Sequence, residues 1–525
     1  MVGISIPLRF FLLIQCIITV DGTLRFANYY QDHMVLQRAP QQAIVWGYGD
    51  TFNVPILLTM NNKQYRTRSS SISSDSFGDS IWSVTLDAQT DEGPFQIQVT
   101  QPLANGTLAT ITLNDVLFGD VWICSGQSNM EFPVVRMFNG SVEIENSGKY
   151  PKIRLFTAAQ KQSETPQEEL LSIGLKWSVA ATTSVGSGLT SAVCWLYGRM
   201  IHEQLNGRPI GLVHSSWGGT CIEYWSPPEV LKDCGIKQTR AITPEETIGI
   251  DPEISVILNN TVLYNAMIHP FTRMVIKGAI WYQGEQNTGS NRDKYTCTFS
   301  KLIEYWRAIW HARTKSINDP SFPFGFVQLA TSDKTGKVVG GFPWIRWHQT
   351  FDVGYVPNNV VPNVFMAVAL DLRDDEGGVH PRDKLDVGYR LSRSGLAVAY
   401  GYKNITYQGP IVFNISIASD SSKVNVTYSH EISPSVELRN PNGFEVCCAS
   451  IEVCNSTDTA WTATPANRIE GAPLTISLAV PSSCASKPIN GLRYLWRETP
   501  CLFKQAAIYS TLDSNLPAPP YLHYF

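Results

Sequence analysis

Positive charge is in short supply in this chain: 41 Lys and Arg stand against 45 Asp and Glu in 525 residues, a formal net charge of -4. Nucleic acids and anionic lipid surfaces are held chiefly by clustered lysine and arginine. Neither is therefore an expected partner, although a local basic pocket stays open. Beyond residue 20 no run is long and apolar enough to cross a bilayer, which takes about 20 such residues. The cysteines also lack a metal pattern. Cys447-Cys448 with Cys454 looks like the start of a zinc knuckle, but no histidine and no second Cys-x-x-Cys pair completes it. No metal and no cofactor is expected.

What is present is a chain that is 43% apolar and 16% charged, able to bury a sizeable core and long enough for about two to four domains. It opens with Arg9, an apolar run from Phe10 to Val20, and Asp21-Gly22-Thr23. That is the anatomy of a secretory signal peptide, assigned to residues 1–22. Seven Asn-x-Ser/Thr sequons, headed by Asn105, Asn139, Asn259, Asn404, Asn414, Asn425 and Asn455, suit a glycosylated protein of the secretory pathway, lysosomal or secreted. Without Cys16, ten of the eleven cysteines remain, and an oxidising compartment favours disulfides among them. Cys221 with Cys234 is one expected bridge; others are drawn from Cys447, Cys448, Cys454, Cys484 and Cys501, with connectivity open.

Residues 23–112 alternate short β-rich runs with turn signals, as in Ala43 to Gly49 and Phe95 to Val99, and predict an N-terminal β-sandwich-like domain. Ser69 to Ser76 reads as a solvated loop. Residues 113–400 alternate strands and helices: Ser191 to Leu205 has Val193, Leu196, Met200 and Ile201 on one helical face before the strand Ile210 to Val213. The expected fold class is α/β, a mostly parallel sheet covered by helices. Residues 401–525 return to β periodicity and predict a disulfide-containing C-terminal β domain.

The chemistry concentrates where predicted strands break into small and polar residues. Val121-Trp122-Ile123 runs into Cys124-Ser125-Gly126-Gln127-Ser128-Asn129-Met130; Val213 is followed by His214 to Thr220; Trp281 by Tyr282-Gln283-Gly284-Glu285-Gln286-Asn287; and Leu370 by the segment ending in His380. On parallel strands these four clusters converge at one sheet edge. Each then supplies one part of an acyl-transfer apparatus. Ser128 is the expected nucleophile and His380 its general base. The oxyanion hole takes the N–H of Ser128, an N–H from the pair Gly218-Gly219, and the amide of Asn287. Because Met130 occupies the last position, Ser128 is not inside Gly-x-Ser-x-Gly, which argues against an α/β-hydrolase elbow.

These clusters resemble the blocks of the SGNH (GDSL-like) hydrolase superfamily: Gly126-Gln127-Ser128, Gly219, Gly284-Glu285-Gln286-Asn287 and His380. More narrowly, Ser125 to Met130, Tyr264 to Pro270, Trp281 to Glu285, Val379 to Lys384 and Gly491 to Cys501 are similar to the sialate O-acetylesterase family over nearly the whole mature chain. The resemblance implies a three-layer αβα catalytic domain and a metal-free serine esterase acting on O-acetylated sialic acids, free or on glycoconjugates. Other acetylated carbohydrates, of xylan type, and glycan binding without catalysis are the alternatives. The superfamily usually has an aspartate three residues before its histidine, where this chain has Gly377. Either Asp374 or Asp375 orients His380 through a longer loop, with Asp374 preferred, or Ser128 and His380 work as a dyad. Gln127, Gln283, Glu285 and Arg346 are further candidates to line the substrate site, Glu285 by fixing its loop and Arg346 through a substrate carboxylate, with a surface or core salt bridge the simpler reading of Arg346. His214 and His269 are candidates to line the pocket but are more simply structural, and His348 is a candidate to sit near the substrate. Oligomeric state stays open.

Overall fold

The structure is a computed structural model that describes residues 24–71, 80–237, 258–332, 335–485 and 487–525. The expected signal peptide and most of the expected loop after Ser69 lie outside those residues. Contacts divide the chain into two units: Met1–Ala27, Trp46–Val84 and Gln98–Thr112 form the smaller, and Asn28–Val45, Thr85–Ile97 and Leu113–Phe525 the larger.

The smaller unit is built from antiparallel pairs. Pro55–Met60 and Lys63–Arg68 make a hairpin in register from Pro55 opposite Arg68 to Met60 opposite Lys63. Ser70–Ser71 pairs with Ser80–Thr85. Buried residues alternate with less buried ones along Pro55–Met60, whereas Lys63–Arg68 has only half-buried and exposed residues.

The larger unit contains the main sheet, apart from residues 108–112 at the start of its first strand. In chain order its strands are β1 (Leu108–Gly126), β2 (Ile153–Ala158), β3 (Ile173–Val179), β4 (Ile210–Ser216), β5 (Gly278–Tyr282), β6 (Phe324–Gln328) and β7 (Val364–Val368). In space they run β3-β2-β4-β1-β5-β6-β7. All neighbours are parallel except β3 on β2, an antiparallel edge strand. The central strands β1, β4 and β5 are buried from Val121 onward, from Ile210 onward and throughout, as continuous apolar runs in a parallel sheet require. Val35–Gln37 pairs in parallel with Leu117–Gly119. Part of the stretch expected to form the N-terminal domain is thereby drawn into the larger unit.

Five helices matter for the site: α1 (Ser128–Glu131), α2 (Ala192–Gln204), α3 (Tyr295–Arg313), α4 (Phe342–Gln349) and α5 (Lys384–Tyr400). Ser191 caps α2 by accepting from the Cys194 N–H at 3.2 Å, and the Cys124–Cys194 disulfide fastens α2 to β1. Residues beyond 400 form two four-stranded sheets and a strand pair within the same unit. Cys447–Cys454 and Cys448–Cys484 staple them, as expected in kind. The expected Cys221–Cys234 bridge is not formed. Cys234 ends the short helix Pro228–Asp233 and lies 5.7 Å, Cα to Cα, from Cys297 in the first turn of α3, with which it pairs instead.

Candidate active site

The ends of three neighbouring strands lie level. Gly126 of β1 stands opposite Ser216 of β4 and Tyr282 of β5, so the loops after 126, 216 and 282 leave the sheet together. Gly126 makes the exit possible: its φ is +140°, and a Cβ there would fall 2.2 Å from the Tyr282 carbonyl oxygen. Ser128 follows at the head of α1, half-buried. Gln127 holds this turn from below. Its Oε1 accepts the N–H groups of Gly284 and Gln286 at 3.3 and 3.2 Å, and its own N–H donates to Tyr282 at 2.9 Å.

The fourth loop, after β7, carries His380 back to this edge. Asp371 starts it under an anchor of Arg390 at 2.6 Å and the Tyr509 hydroxyl at 2.7 Å. Asn129 closes the other end. Directly after Ser128, its Nδ2 donates to the Val379 carbonyl at 2.9 Å and to Glu285 Oε1 at 2.6 Å, while its Oδ1 accepts from Lys384 Nζ at 2.5 Å. One side chain therefore ties the residue after Ser128 to the residue before His380. The His380 ring stacks on Phe132 at 6.4 Å, and its Nε2 is buried with no partner among the described residues. Burial first, then the charges of Lys384 and Arg136, push its pKa down to about 4.

Asp374 makes no hydrogen bond to His380 among the described residues. Its Oδ1 accepts from the N–H groups of Glu376 and Gly377 and from Arg382 Nε, and its Oδ2 accepts the Arg382 N–H at 2.8 Å. Burial raises the Asp374 pKa, but the bonds from Arg382 and Gly377 outweigh it and hold the carboxyl below its ordinary value. This carboxylate shapes the turn. The same turn explains the glycine at the superfamily's aspartate position, because a Cβ on Gly377 would meet Asp374 Oδ2 at 2.4 Å.

Of the expected oxyanion donors, two remain available. The Ser128 N–H opens a helix, where no intrahelical acceptor exists, and the Gly219 N–H meets no acceptor among the described residues. The Gly218 N–H is taken by Glu131 Oε2 at 2.6 Å. Asn287 is fully buried and committed elsewhere. Its Nδ2 donates to Glu223 Oε2 at 2.9 Å and to Ser290, and its Oδ1 accepts from Ile222 N–H and Gln283 Nε2. The amide expected to donate to an oxyanion instead braces the loops of Ile222, Gln283 and Ser290.

Residues 118–394 match the family described as carbohydrate esterase, sialic acid-specific acetylesterase, and residues 413–525 match the sialate O-acetylesterase C-terminal domain. The sequence is 41% identical over 530 residues to the sialate O-acetylesterase of Mus musculus, covering 95% of this chain and 94% of that one. With that of Homo sapiens it shares 40% over 504 residues, covering 95% and 92%. The chain belongs to the sialate O-acetylesterase family. A solved carbohydrate acetylesterase from Xanthomonas citri matches with a TM-score of 0.74 and 27% identity, over 96% of this chain and 99% of that one.

In this member of the family the remaining candidates face inward. Arg346 is fully buried, with Nε on the Leu329 carbonyl at 2.9 Å, and its two terminal nitrogens on the carbonyls of Arg497 at 2.7 Å, Glu498 at 2.7 Å and Ala330. Burial lowers its pKa to about 10. It joins chain segments and has no donor role for a substrate carboxylate, against expectation. Gln283 is likewise buried between Thr220, Asn287 and Tyr295. Glu285 accepts from Asn129 at 2.6 Å; its Oε2 is buried without a partner among the described residues, and burial raises its pKa. His214, His269 and His348 are bonded within the protein. The residues missed from sequence are Asn129 and Lys384. Lys384 lies fully buried over the rings of Phe132 and Tyr282, at 4.8 and 5.3 Å, and burial lowers its pKa to about 7. Both stood inside the family's motifs, but only their contacts reveal what they do.

Proposed function

We propose that this chain is a serine esterase that hydrolyses O-acetyl esters of sialic acids, free or on glycoconjugates, through an acetyl-enzyme on Ser128. The observation that carries the reading is the Asn129 clamp, which holds a half-buried serine and an unpartnered imidazole on adjoining loops. Ser128 Oγ attacks the acetyl carbonyl while His380 Nε2 takes its proton. The N–H groups of Ser128 and Gly219 stabilise the oxyanion, each worth about 3 kcal/mol. The sugar oxygen then leaves with the proton from His380. Water attacks the acetyl-enzyme, again giving its proton to His380, which returns one to Ser128 as acetate departs. Ser128 and His380 act as a dyad, with Asp374 shaping the histidine loop.

The parallel sheet supports an SGNH-like three-layer αβα catalytic domain flanked by β domains. Four disulfides support a place in the secretory pathway, lysosomal or secreted. The likeness to the carbohydrate acetylesterase of Xanthomonas citri keeps one other reading, an esterase for other acetylated carbohydrates. Acetate release by the purified protein from O-acetylated sialic acid and from acetylated xylan, side by side, separates them. Preference for the sialic acid supports the proposal; turnover of xylan acetate alone overturns it.

A further inference from the structure

Two cations, Lys384 and Arg136, lie over the ring of Phe132, which in turn stacks on His380. Burial apart, the groups acting on His380 are the cations Lys384 and Arg136, and no carboxylate is among them. Lys384 is buried and spent on Asn129. Arg136 differs. It is exposed at the end of the turn Val134–Arg136, and among the described residues no carboxylate pairs with it. Its guanidinium lies 5.0 Å from the centre of the Phe132 ring, the ring that stacks on His380. A cation placed over an aromatic face is oriented without being neutralised.

The segment is also tied to the catalytic loop and opens on space. The Phe138 N–H donates to the Arg382 carbonyl at 2.9 Å, and Phe138, two residues after Arg136, borders a cavity of about 660 Å³ that Arg373, Asp374, Asp375, Leu502 and Phe503 also line, Arg136 lying outside that lining. Cavities of roughly 300–1,000 Å³ are the usual size for small ligands. Two other arginines compete for an anionic ligand. Arg346 is used up on carbonyls, and Arg373 has Asp375 at 3.8 Å and is absent from the charges that act on His380.

We propose that Arg136 is the specificity-determining residue that pairs with the substrate's carboxylate while the acetyl ester lies against Ser128, selecting acidic over neutral acetylated sugars. This rests on the reading of function above. Its test compares O-acetylated sialic acid with the same sugar as its uncharged carboxyl methyl ester. The ratio of kcat/KM for acid over methyl ester is expected to fall about 10- to 100-fold in Arg136→Gln, the range of a lost charge-assisted hydrogen bond. It should recover largely in Arg136→Lys, and the change should lie in KM. Thermal unfolding of each variant establishes that it is folded. An unchanged ratio in Arg136→Gln, or a collapse in Arg373→Gln in its place, overturns the assignment while leaving the esterase reading intact. No turnover of either sialic acid substrate by the unmodified protein overturns both.

Discussion

Asp374 and Gly377 make a residue-scale argument about what the histidine needs. In a triad the acid fixes the imidazole, and removing its charge costs about 10⁴-fold in rate. Here Asp374 bonds Glu376, Gly377 and Arg382, so Asp374→Asn is expected to keep kcat within roughly tenfold; a loss nearer that triad figure would restore Asp374 to the orienting role. Gly377→Asp, which puts an acid where the superfamily has one, is expected to lower activity, because its Cβ collides with Asp374. His380 also fixes the pH dependence. With a pKa near 4 it stays a neutral base down to about pH 4, so the acid limb of kcat/KM belongs there and not near 6.5. Burial is the larger cause and Lys384 the next, so Lys384→Met should move the limb to higher pH. An unmoved limb in that variant contradicts the proposed geometry.

At the scale of elements, the sheet was legible because its strands are apolar runs that stop abruptly. The predicted helix Ser191 to Leu205 is α2, and the four strand-end clusters do gather at one edge. What escaped the sequence is direction. Asn287 and Arg346 lie in the right loop and helix, but nothing in a linear pattern says that their side chains turn toward Glu223 or toward four carbonyl groups. Nor does spacing reveal that Cys234 meets α3 before it meets Cys221. The structural role of Arg346 has its own consequence. Arg346→Ala leaves buried carbonyls unsatisfied and is expected to destabilise the fold by about 3 kcal/mol or more. A substrate-binding role predicts a raised KM at unchanged stability, and urea unfolding alongside kinetics distinguishes the two.

Across the whole molecule, the sequons meet a surface that grades them. Asn105, Asn139, Asn259, Asn404, Asn414 and Asn455 are exposed, whereas Asn425 is half-buried within the strand Lys423–Tyr428. Glycopeptide mass spectrometry of protein from a eukaryotic secretory host should find carbohydrate on the six and least on Asn425; full occupancy there counts against this strand assignment. The two units also show why domain limits were harder to read than motifs. β1 runs unbroken through the expected limit at residue 112, and Val35–Gln37 pairs beside it. The change of pattern at residue 112 coincides with the division of contacts there, but periodicity does not reveal that Asn28–Val45 and Thr85–Ile97 belong with the larger unit.

The central claim is that Ser128 carries the acetyl group taken from a sialic acid. It is tested most directly by acetate release from O-acetylated sialic acid, measured for the purified protein and for Ser128→Ala in parallel, with thermal unfolding to establish that both are folded. The account predicts steady release by the unmodified protein and a loss of at least about 10³-fold in the variant. Release undiminished by the substitution, or none from the unmodified protein, would contradict it.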